Sequence, residues 1–325
     1  MGSDRQQKLR AWLSESGYEK ASITDLSGDA SFRKYYRVKK NNLSYVVMDC
    51  PPDKENLNSF ISVTGKLRYA KVNVPELFNC DQENGFLVLS DLGDELYSRK
   101  LDSETVYCLY TDALEAIVKI QTNADYSDLE SFDELYQEEN NLFIDWFLGD
   151  HLEINKDDGY LDSTNNEFNK LNALLKEIPK TFVHRDFHSR NLLVTDSNNP
   201  GVIDYQDAVK GPITYDLVSL LKDCYVTWDD GLIEDMLESF FSRIKCNDIN
   251  NISDFRYWFD MTGLQRHIKA IGIFSRLNYR DNKDNYLQDI PRTYSYIEKT
   301  LKKYKDLTNL DEIFSELNLL EKISK

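Results

Sequence analysis

Cysteine is sparse and shows no pairing pattern: Cys50, Cys80, Cys108, Cys224 and Cys246 are an odd number, widely separated, with no Cys-x-x-Cys. That excludes a disulfide framework or a cysteine-built zinc site and reads as free thiols of a reducing compartment. No run of about eighteen or more apolar residues occurs, so no membrane-spanning helix is expected. Met1 to Lys20 is polar and charged without an apolar core, so no signal peptide is expected and the cytoplasm is the default location. Positive charge is in short supply, 39 Lys and Arg against 56 Asp and Glu, for a net charge of −17 and a pI near 4.7. With no basic stripe, a duplex nucleic-acid partner is disfavoured. Also missing are G-x-x-x-x-G-K-[ST], G-x-G-x-x-G and G-x-S-x-G, which removes P-loop, dinucleotide-binding and hydrolase-elbow readings. Thr64-Gly65-Lys66 is only a fragment, inside an expected helix. No internal repeat and no heptad seam is legible, so the oligomeric state stays open.

What is present is an ordinary globular composition, 41% apolar and 29% charged, in 325 residues. That length favours two lobes with a cleft. A short amphipathic helix opens the chain, with Leu9, Trp12 and Leu13 on one face. Ala21–Leu26, Phe32–Val38 and Leu43–Asp49 follow as an antiparallel meander. Its separators, Ser27 to Ser31 and Lys39 to Asn42, carry turn chemistry, and Pro51-Pro52 stops the third strand. Leu57–Tyr69 has helical spacing, and Pro75 to Phe78 pairs with Phe86 to Leu89 as a further hairpin. After Ser90-Asp91-Leu92-Gly93 the pattern turns helical: Thr105–Gln121, Glu134–Leu148, Glu167–Leu175, Leu217–Cys224, Ile233–Ile244 and Asp254–Phe274. The Asn/Asp-rich pieces at 154–166 and 246–253 read as surface loops. The expected class is α+β, with a β-rich lobe over residues 1–92 and a larger helical lobe over 93–325.

One stretch interrupts the helices: His184-Arg185-Asp186-Phe187-His188-Ser189-Arg190-Asn191, then Val202-Ile203-Asp204. This is H-R-D-x-x-x-x-N followed by Asp, the pattern of phosphoryl transfer. In such sites the first Asp takes the proton of the attacking hydroxyl, while the Asn and the later Asp hold Mg²⁺ against nucleotide phosphates. Phe182-Val183 and Leu192-Leu193-Val194 frame the motif as short buried strands. Asn198-Asn199-Pro200-Gly201 turns the chain, so that Val202-Ile203 returns Asp204 toward Asn191. A lone Asp186 would read as a turn or cap residue; it is the spacing of all three that argues chemistry. His184 and His188 as a zinc pair are disfavoured, because the H-E-x-x-H glutamate is missing and the segment is not helical. His184 is expected to brace the loop and His188 to lie near substrate. An acidic chain that binds ATP must also gather its few cations at one place.

At these residues the chain resembles the aminoglycoside phosphotransferase/choline kinase superfamily, a small-molecule branch of the two-lobed protein-kinase-like fold. Gly211-Pro212-Ile213-Thr214-Tyr215-Asp216-Leu217 matches that family's P-x-x-x-D-L turn after the second metal ligand. By this resemblance Asp216 braces the catalytic loop; by position alone it is a carboxylate favoured at a helix N-terminus. A narrower resemblance is to the anomeric N-acetylmuramate/N-acetylglucosamine kinases. It rests on Gly28 to Arg37, Met48-Asp49-Cys50-Pro51-Pro52, His184 to Leu192, Ile203 to Ala208, and Leu264 to Lys269 running on to Gly272-Ile273-Phe274, and so extends over nearly the whole chain. It implies ATP and Mg²⁺ as cofactors and phosphorylation of the C1 hydroxyl of an amino sugar in cell-wall sugar recycling.

The same resemblance sets expectations for binding. Val46-Val47-Met48-Asp49 puts Asp49 near the place where protein kinases carry a phosphate-binding lysine. An acid cannot pair a phosphate directly, so either a cation intervenes or the charge comes from elsewhere. Arg33 and Lys34 are the candidates, with a solvated surface pair as the alternative; the Ser31 hydroxyl and its turn amides are further phosphate donors. Ser90, Asp91 and Leu92 fall at the link between lobes, where backbone groups meet adenine, Asp91 itself being open to a structural role. For the sugar, the candidates are His188, Asp207, Arg266, His267 and Asp145 beside Trp146, each also readable as packing or a surface ion pair. Arg266 suits a lactyl carboxylate. The rival functions are the same fold acting on an aminoglycoside, choline or another alcohol, and a nucleotide-binding pseudokinase that regulates a partner.

Overall fold

The computed structural model describes residues 4–19, 21–26, 32–155, 159–244, 249 and 251–323. They divide into two compact units, Met1–Glu95 with Leu193–Asp207, and Leu96–Leu192 with Ala208–Lys325.

The first unit is built on a five-stranded antiparallel sheet. Its strands are β1 (Ser22–Leu26), β2 (Lys34–Lys40), β3 (Leu43–Asp49), β4 (Leu77–Asp81) and β5 (Phe86–Ser90), in the order β1-β2-β3-β5-β4. Asn41 and Asn42 close the β2–β3 hairpin at φ +50° and +63°, the left-handed pair that a two-residue hairpin turn requires. Side-chain alternation sorts the sheet into two faces. Tyr36, Val38, Val47, Phe86 and Val88 pack with Leu9 and Leu13 of helix α1 (Asp4–Leu13). On this face Asp49, paired in register with Phe86, is buried and held by Arg5 Nε at 2.6 Å. Helix α2 (Leu57–Tyr69) starts at Asn56, whose side chain accepts the N–H groups of Asn58 and Ser59. The segment 193–207 folds with this unit: Leu192–Leu193 leads into it and pairs with Gly201–Val202.

The second unit is mostly helical: α3 (Tyr97–Lys100), α4 (Val106–Asn123), α5 (Tyr136–Leu142), a wide-turned segment Phe143–His151, and α6 (Tyr160–Lys176). Strand β6 (Lys180–Val183) then pairs antiparallel with β7 (Val209–Pro212). Helices α7 (Tyr215–Leu221), α8 (Asp230–Arg243), α9 (Ile252–Asp281), α10 (Ile290–Lys303), α11 (Thr308–Glu316) and α12 (Leu319–Ile323) complete it. The axis of the unit is α9, buried along most of its 30 residues. Gly272 lies so near the backbone of Leu142 and Phe143 that a Cβ would stand 2.4–2.5 Å from their atoms.

Residues 160–166, expected as surface loop, instead open α6. Leu161, Thr164, Phe168, Leu171 and Leu175 form its buried stripe, and the polar residues that masked this period in the sequence lie between them. Residues 252 and 253, also expected in a loop, begin α9, which runs past Phe274 to Asp281. The expected helix Glu134–Leu148 is broken into a turn, α5 and the wide segment after it.

Candidate active site

Strand β6 ends at Val183 and delivers the loop 184–191. Arg185 sits at φ +76°, a left-handed conformation that a non-glycine residue keeps only when its surroundings enforce it. The enforcement is visible. Asp216, in the first turn of α7, accepts the N–H of His184 at 2.8 Å and of Arg185 at 3.1 Å, and the Ser219 hydroxyl donates to the Arg185 carbonyl at 3.4 Å. The N–H of Asp186 donates to Nδ1 of the buried His184 ring at 3.3 Å. The Asp186 carbonyl accepts the His188 N–H and the Asn191 side-chain amide, both at 3.0 Å. Asp223 takes the Ser189 N–H at 2.9 Å. Burial, together with the charge of Asp186, pushes the Asp216 carboxyl up to about 7 against the pull of its two amides.

Cations surround Asp186. Burial alone would raise its carboxyl, but Lys269, then His188, Arg185 and Arg266, hold it down to about 2, so it is ionised at neutral pH. Lys269 and Arg266 come from α9. Lys269 Nζ lies 3.1 Å from Glu139 and 3.4 Å from the Tyr215 hydroxyl. Arg266 is only 6% exposed, and among the described residues the hydrogen bond its guanidinium makes is to Cys224 Sγ at 3.5 Å. Burial lowers the His188 imidazole below its ordinary range, against the nearby acids Asp223 and Asp186, and its Nδ1 has no hydrogen-bond partner among the described residues. The His188 ring meets Tyr225 edge-on at 5.2 Å.

Two expected sugar contacts are placed elsewhere in this unit. His267 is buried and stacked on Tyr296 with its Nε2 2.8 Å from the Lys222 carbonyl. Burial, then Arg266, lowers it to about 3, which is a neutral core histidine. Asp145 is exposed in the segment Phe143–His151. Sequence reasoning missed Glu139 and Asp223. Glu139 carries a legible signal, since it falls on the apolar stripe of α5 with Tyr136 and Phe143 at helical spacing.

The sheet unit holds the other expected residues. Asp204 is exposed and left-handed at φ +64°; Gln206 Nε2 donates to its Oδ1 at 3.1 Å and to Asp207 Oδ2 at 2.9 Å. The loop is tied to α2, with Ser59 donating to the Gln206 carbonyl at 2.6 Å and Tyr205 stacked on Phe60 at 5.1 Å. Of the two phosphate-binding candidates, Arg33 is buried and paired with Glu55 at 2.6 Å, while Lys34 is exposed at the start of β2. Asp49 is occupied by Arg5, on the sheet face opposite Tyr35, the residue that senses the Asp204 charge. Asp91 is clamped by Arg37 at 2.6 and 3.0 Å and by the Ser44 hydroxyl at 2.5 Å. Ser90 exchanges two 2.8 Å hydrogen bonds with the backbone of Glu76, and Leu92 packs near Gly201. Ser31 and its turn lie outside the described residues. The structure thus gathers Asp186, Asn191, His184, His188, Arg266 and Asp216 within the helical unit, and Asp204, Asp207 and Arg33 within the sheet unit.

A family model described as the phosphotransferase enzyme family matches residues 22–246. The chain is 38% identical over 301 residues to the N-acetylmuramate/N-acetylglucosamine kinase of Pseudomonas aeruginosa, covering 91% of this chain and 89% of that protein. It is 35% identical over 332 residues to the protein of the same name from Pseudomonas putida, covering 96% of each. Among solved structures, the choline kinase LicA of Streptococcus pneumoniae superposes with a TM-score of 0.65 at 14% identity, over 93% of this chain and all of that one. The fold, an N-terminal antiparallel sheet followed by a mostly helical unit, is that of the protein-kinase-like phosphotransferases.

Proposed function

We propose, for a chain that belongs to the phosphotransferase enzyme family and is a kinase, that its acceptor is an amino sugar, N-acetylmuramate or N-acetylglucosamine, phosphorylated on the anomeric C1 hydroxyl by Mg-ATP. Its place is cell-wall sugar recycling in the cytoplasm. The observation that carries the reading is Asp186, an ionised carboxylate on an over-determined loop with Lys269, Arg185 and Arg266 around it.

In this role Asp186 accepts a hydrogen bond from the acceptor hydroxyl and orients it. A carboxylate held so low is a weak base, so the proton leaves late; a hemiacetal hydroxyl, more acidic than an ordinary alcohol, makes that transfer easier. Most of the rate then comes from positioning and charge neutralisation. Asn191 and Asp204 are hard oxygen donors of the type Mg²⁺ takes, one or two side chains with phosphate oxygens and water completing the set. Asn191 donates its amide nitrogen to the Asp186 carbonyl at 3.0 Å, which assigns the amide oxygen to the other side. The residues present therefore fit the ion. When bound, Mg-ATP supplies the phosphoryl group and the positive charge against it.

Arg33, Lys34 and the Ser31 turn are assigned to the phosphates and the Ser90–Leu92 backbone to the base. For the sugar, Arg266 and His188 are the assigned contacts, with Asp207 from the sheet unit; the bonding of His267 and the exposure of Asp145 make these two the weaker members of the set. Two buried cations beside Asp186 favour a neutral or anionic acceptor over choline or an aminoglycoside.

The test is incubation with Mg-ATP and a panel of free sugars, aminoglycosides and choline, following ADP release and the position of the new phosphate by phosphorus NMR. An anomeric phosphate on an N-acetyl amino sugar, abolished by Asp186→Asn, is the expected result. Turnover of another alcohol overturns the substrate, and nucleotide binding without turnover overturns the activity in favour of a regulatory pseudokinase.

A further inference from the structure

Glu139 is a glutamate inside the helical unit, 5% exposed, in a helix whose other buried side chains are Tyr136 and Asn140. Its carboxylate receives three donors: Arg185 Nη2 at 2.7 Å, Gln265 Nε2 at 3.0 Å and Lys269 Nζ at 3.1 Å. Burial would raise it, but Lys269 and Arg185 keep it below the ordinary carboxylate range. Two of its donors are the groups that flank Asp186: Arg185 precedes it in the chain, and Lys269 is the cation with the largest effect on its charge. Glu139 and Asp186 face Arg185 and Lys269, with Arg266 as a further cation near Asp186, so an ionised Glu139 offsets one of the positive charges gathered here. The left-handed Arg185 is gripped at its N–H by Asp216 and at its carbonyl by Ser219; its guanidinium is gripped by Glu139 and lies over the Phe132 ring at 5.8 Å.

A buried carboxylate with three donors is a costly way to fill a helix core, since apolar side chains pack there without desolvating charge. We propose that Glu139 is a positioning residue for phosphoryl transfer: it holds Arg185 and Lys269 in place, and so fixes the turn that presents the Asp186 carboxylate. This rests on the reading of Asp186 as the group that takes the acceptor hydroxyl.

The experiment is steady-state kinetics and thermal melting of the full chain as Glu139→Gln, Lys269→Met, the double variant, and Asp186→Asn as control. Glu139→Gln is expected to lower kcat by about 10- to 100-fold, the scale of a small misplacement of a reacting group. KM for ATP and acceptor should stay within about threefold, because neither ligand is bound by this carboxylate. The double variant restores charge balance, so its melting temperature should recover while kcat stays low and equal to that of Lys269→Met, as expected of two residues acting as one unit. If Glu139→Gln does not fold, Glu139→Asp, which keeps the charge but withdraws the carboxylate by one methylene, takes its place, with the same fall in kcat expected and a wild-type kcat overturning the proposal. A kcat that recovers together with the melting temperature, or a Glu139→Gln enzyme of wild-type kcat, makes Glu139 structural only and overturns the proposal. An active Asp186→Asn overturns the parent reading instead, so the two failures are distinguishable.

Discussion

Asp216 accepts the backbone N–H of Arg185 at 3.1 Å, so the carboxylate that opens α7 pins a left-handed residue directly before Asp186. The same carboxylate takes the His184 amide. Asp216→Ala removes both acceptors and leaves two buried N–H groups unpaired, at about 1–3 kcal/mol each, so a substantial loss of stability is expected. A loss of kcat of about 100-fold should accompany it as the loop relaxes. Urea melts and initial rates check both.

The pH dependence of that contact has a definite sign. Asp216 titrates near 7 in the folded chain against an ordinary value of 3.8. The folded state therefore binds more protons than the unfolded state across that window, and the contribution of Asp216 to stability falls as pH rises from about 4 to about 7. Asp216→Asn lacks this titration. The stability difference between wild type and Asp216→Asn should shift against the wild type between about pH 4 and about pH 7, the window between its unfolded and folded values, and level off above it. A difference independent of pH would show that the carboxylate is ionised throughout.

Arg37 and Asp91 make a second prediction, in the sheet unit. Asp91 is held by two guanidinium hydrogen bonds, the Ser44 hydroxyl and the Gly93 amide. A carboxylate so engaged acts on the chain that follows β5 and leaves nothing for a ligand. Asp91→Asn should cost about 1–3 kcal/mol of stability, since Arg37 loses the more buried of its two carboxylate partners and keeps only Asp94. The kcat of the folded fraction should be close to wild type, and a large fall in kcat at unchanged stability would refute the structural assignment.

These contacts mark what was legible in the chain. Asp186, Asn191 and Asp204 stand out as candidates because the phosphoryl-transfer pattern is local, a fixed spacing inside an apolar frame. The sheet could be read because alternation and turn residues are local too. Asp49 shows the limit: its position by counting was near the lysine of protein kinases, yet the side-chain period of two turns it to the α1 face, where Arg5 meets it. Glu139 joins Arg185 and Lys269 across 46 and 130 positions of sequence, and no spacing rule announces such a pairing. Residues 160–166 were hidden by composition, since an Asn- and Asp-rich run looks like loop even when every third or fourth residue is buried. The stripe of α10, Ile290, Thr293, Tyr294, Ile297 and Leu301, has the same period, yet this helix was not among those expected.

Gly272 predicts a pure packing effect. In Gly272→Ala the new Cβ would stand 2.4 Å from the Leu142 carbonyl carbon and 2.5 Å from the Phe143 nitrogen, and backbone cannot swing aside. The helical gain of alanine over glycine, about 1 kcal/mol, is outweighed by overpacking. A net destabilisation of roughly 1–3 kcal/mol is expected by chemical denaturation. A variant as stable as wild type would mean that α9 can move off the segment Phe143–His151 without cost.

Under the proposed function, Arg266 is the residue expected to separate the two proposed acceptors. Its guanidinium is 6% exposed, feels the charges of Asp186 and Asp223, and among the described residues its hydrogen bond is the weak one to Cys224 Sγ. A buried arginine with donors to spare is suited to a ligand carboxylate, which it can meet with two parallel hydrogen bonds. N-acetylmuramate carries such a group and N-acetylglucosamine does not. Arg266→Met keeps the volume of the side chain and removes its charge. KM for N-acetylmuramate should rise by about 10- to 100-fold, the equivalent of one charge-assisted hydrogen bond. KM for N-acetylglucosamine should change by less than about threefold, since no bond to it is lost. An equal loss in kcat for both sugars would instead place Arg266 with Lys269, as a cation serving Asp186 and indifferent to which sugar is bound.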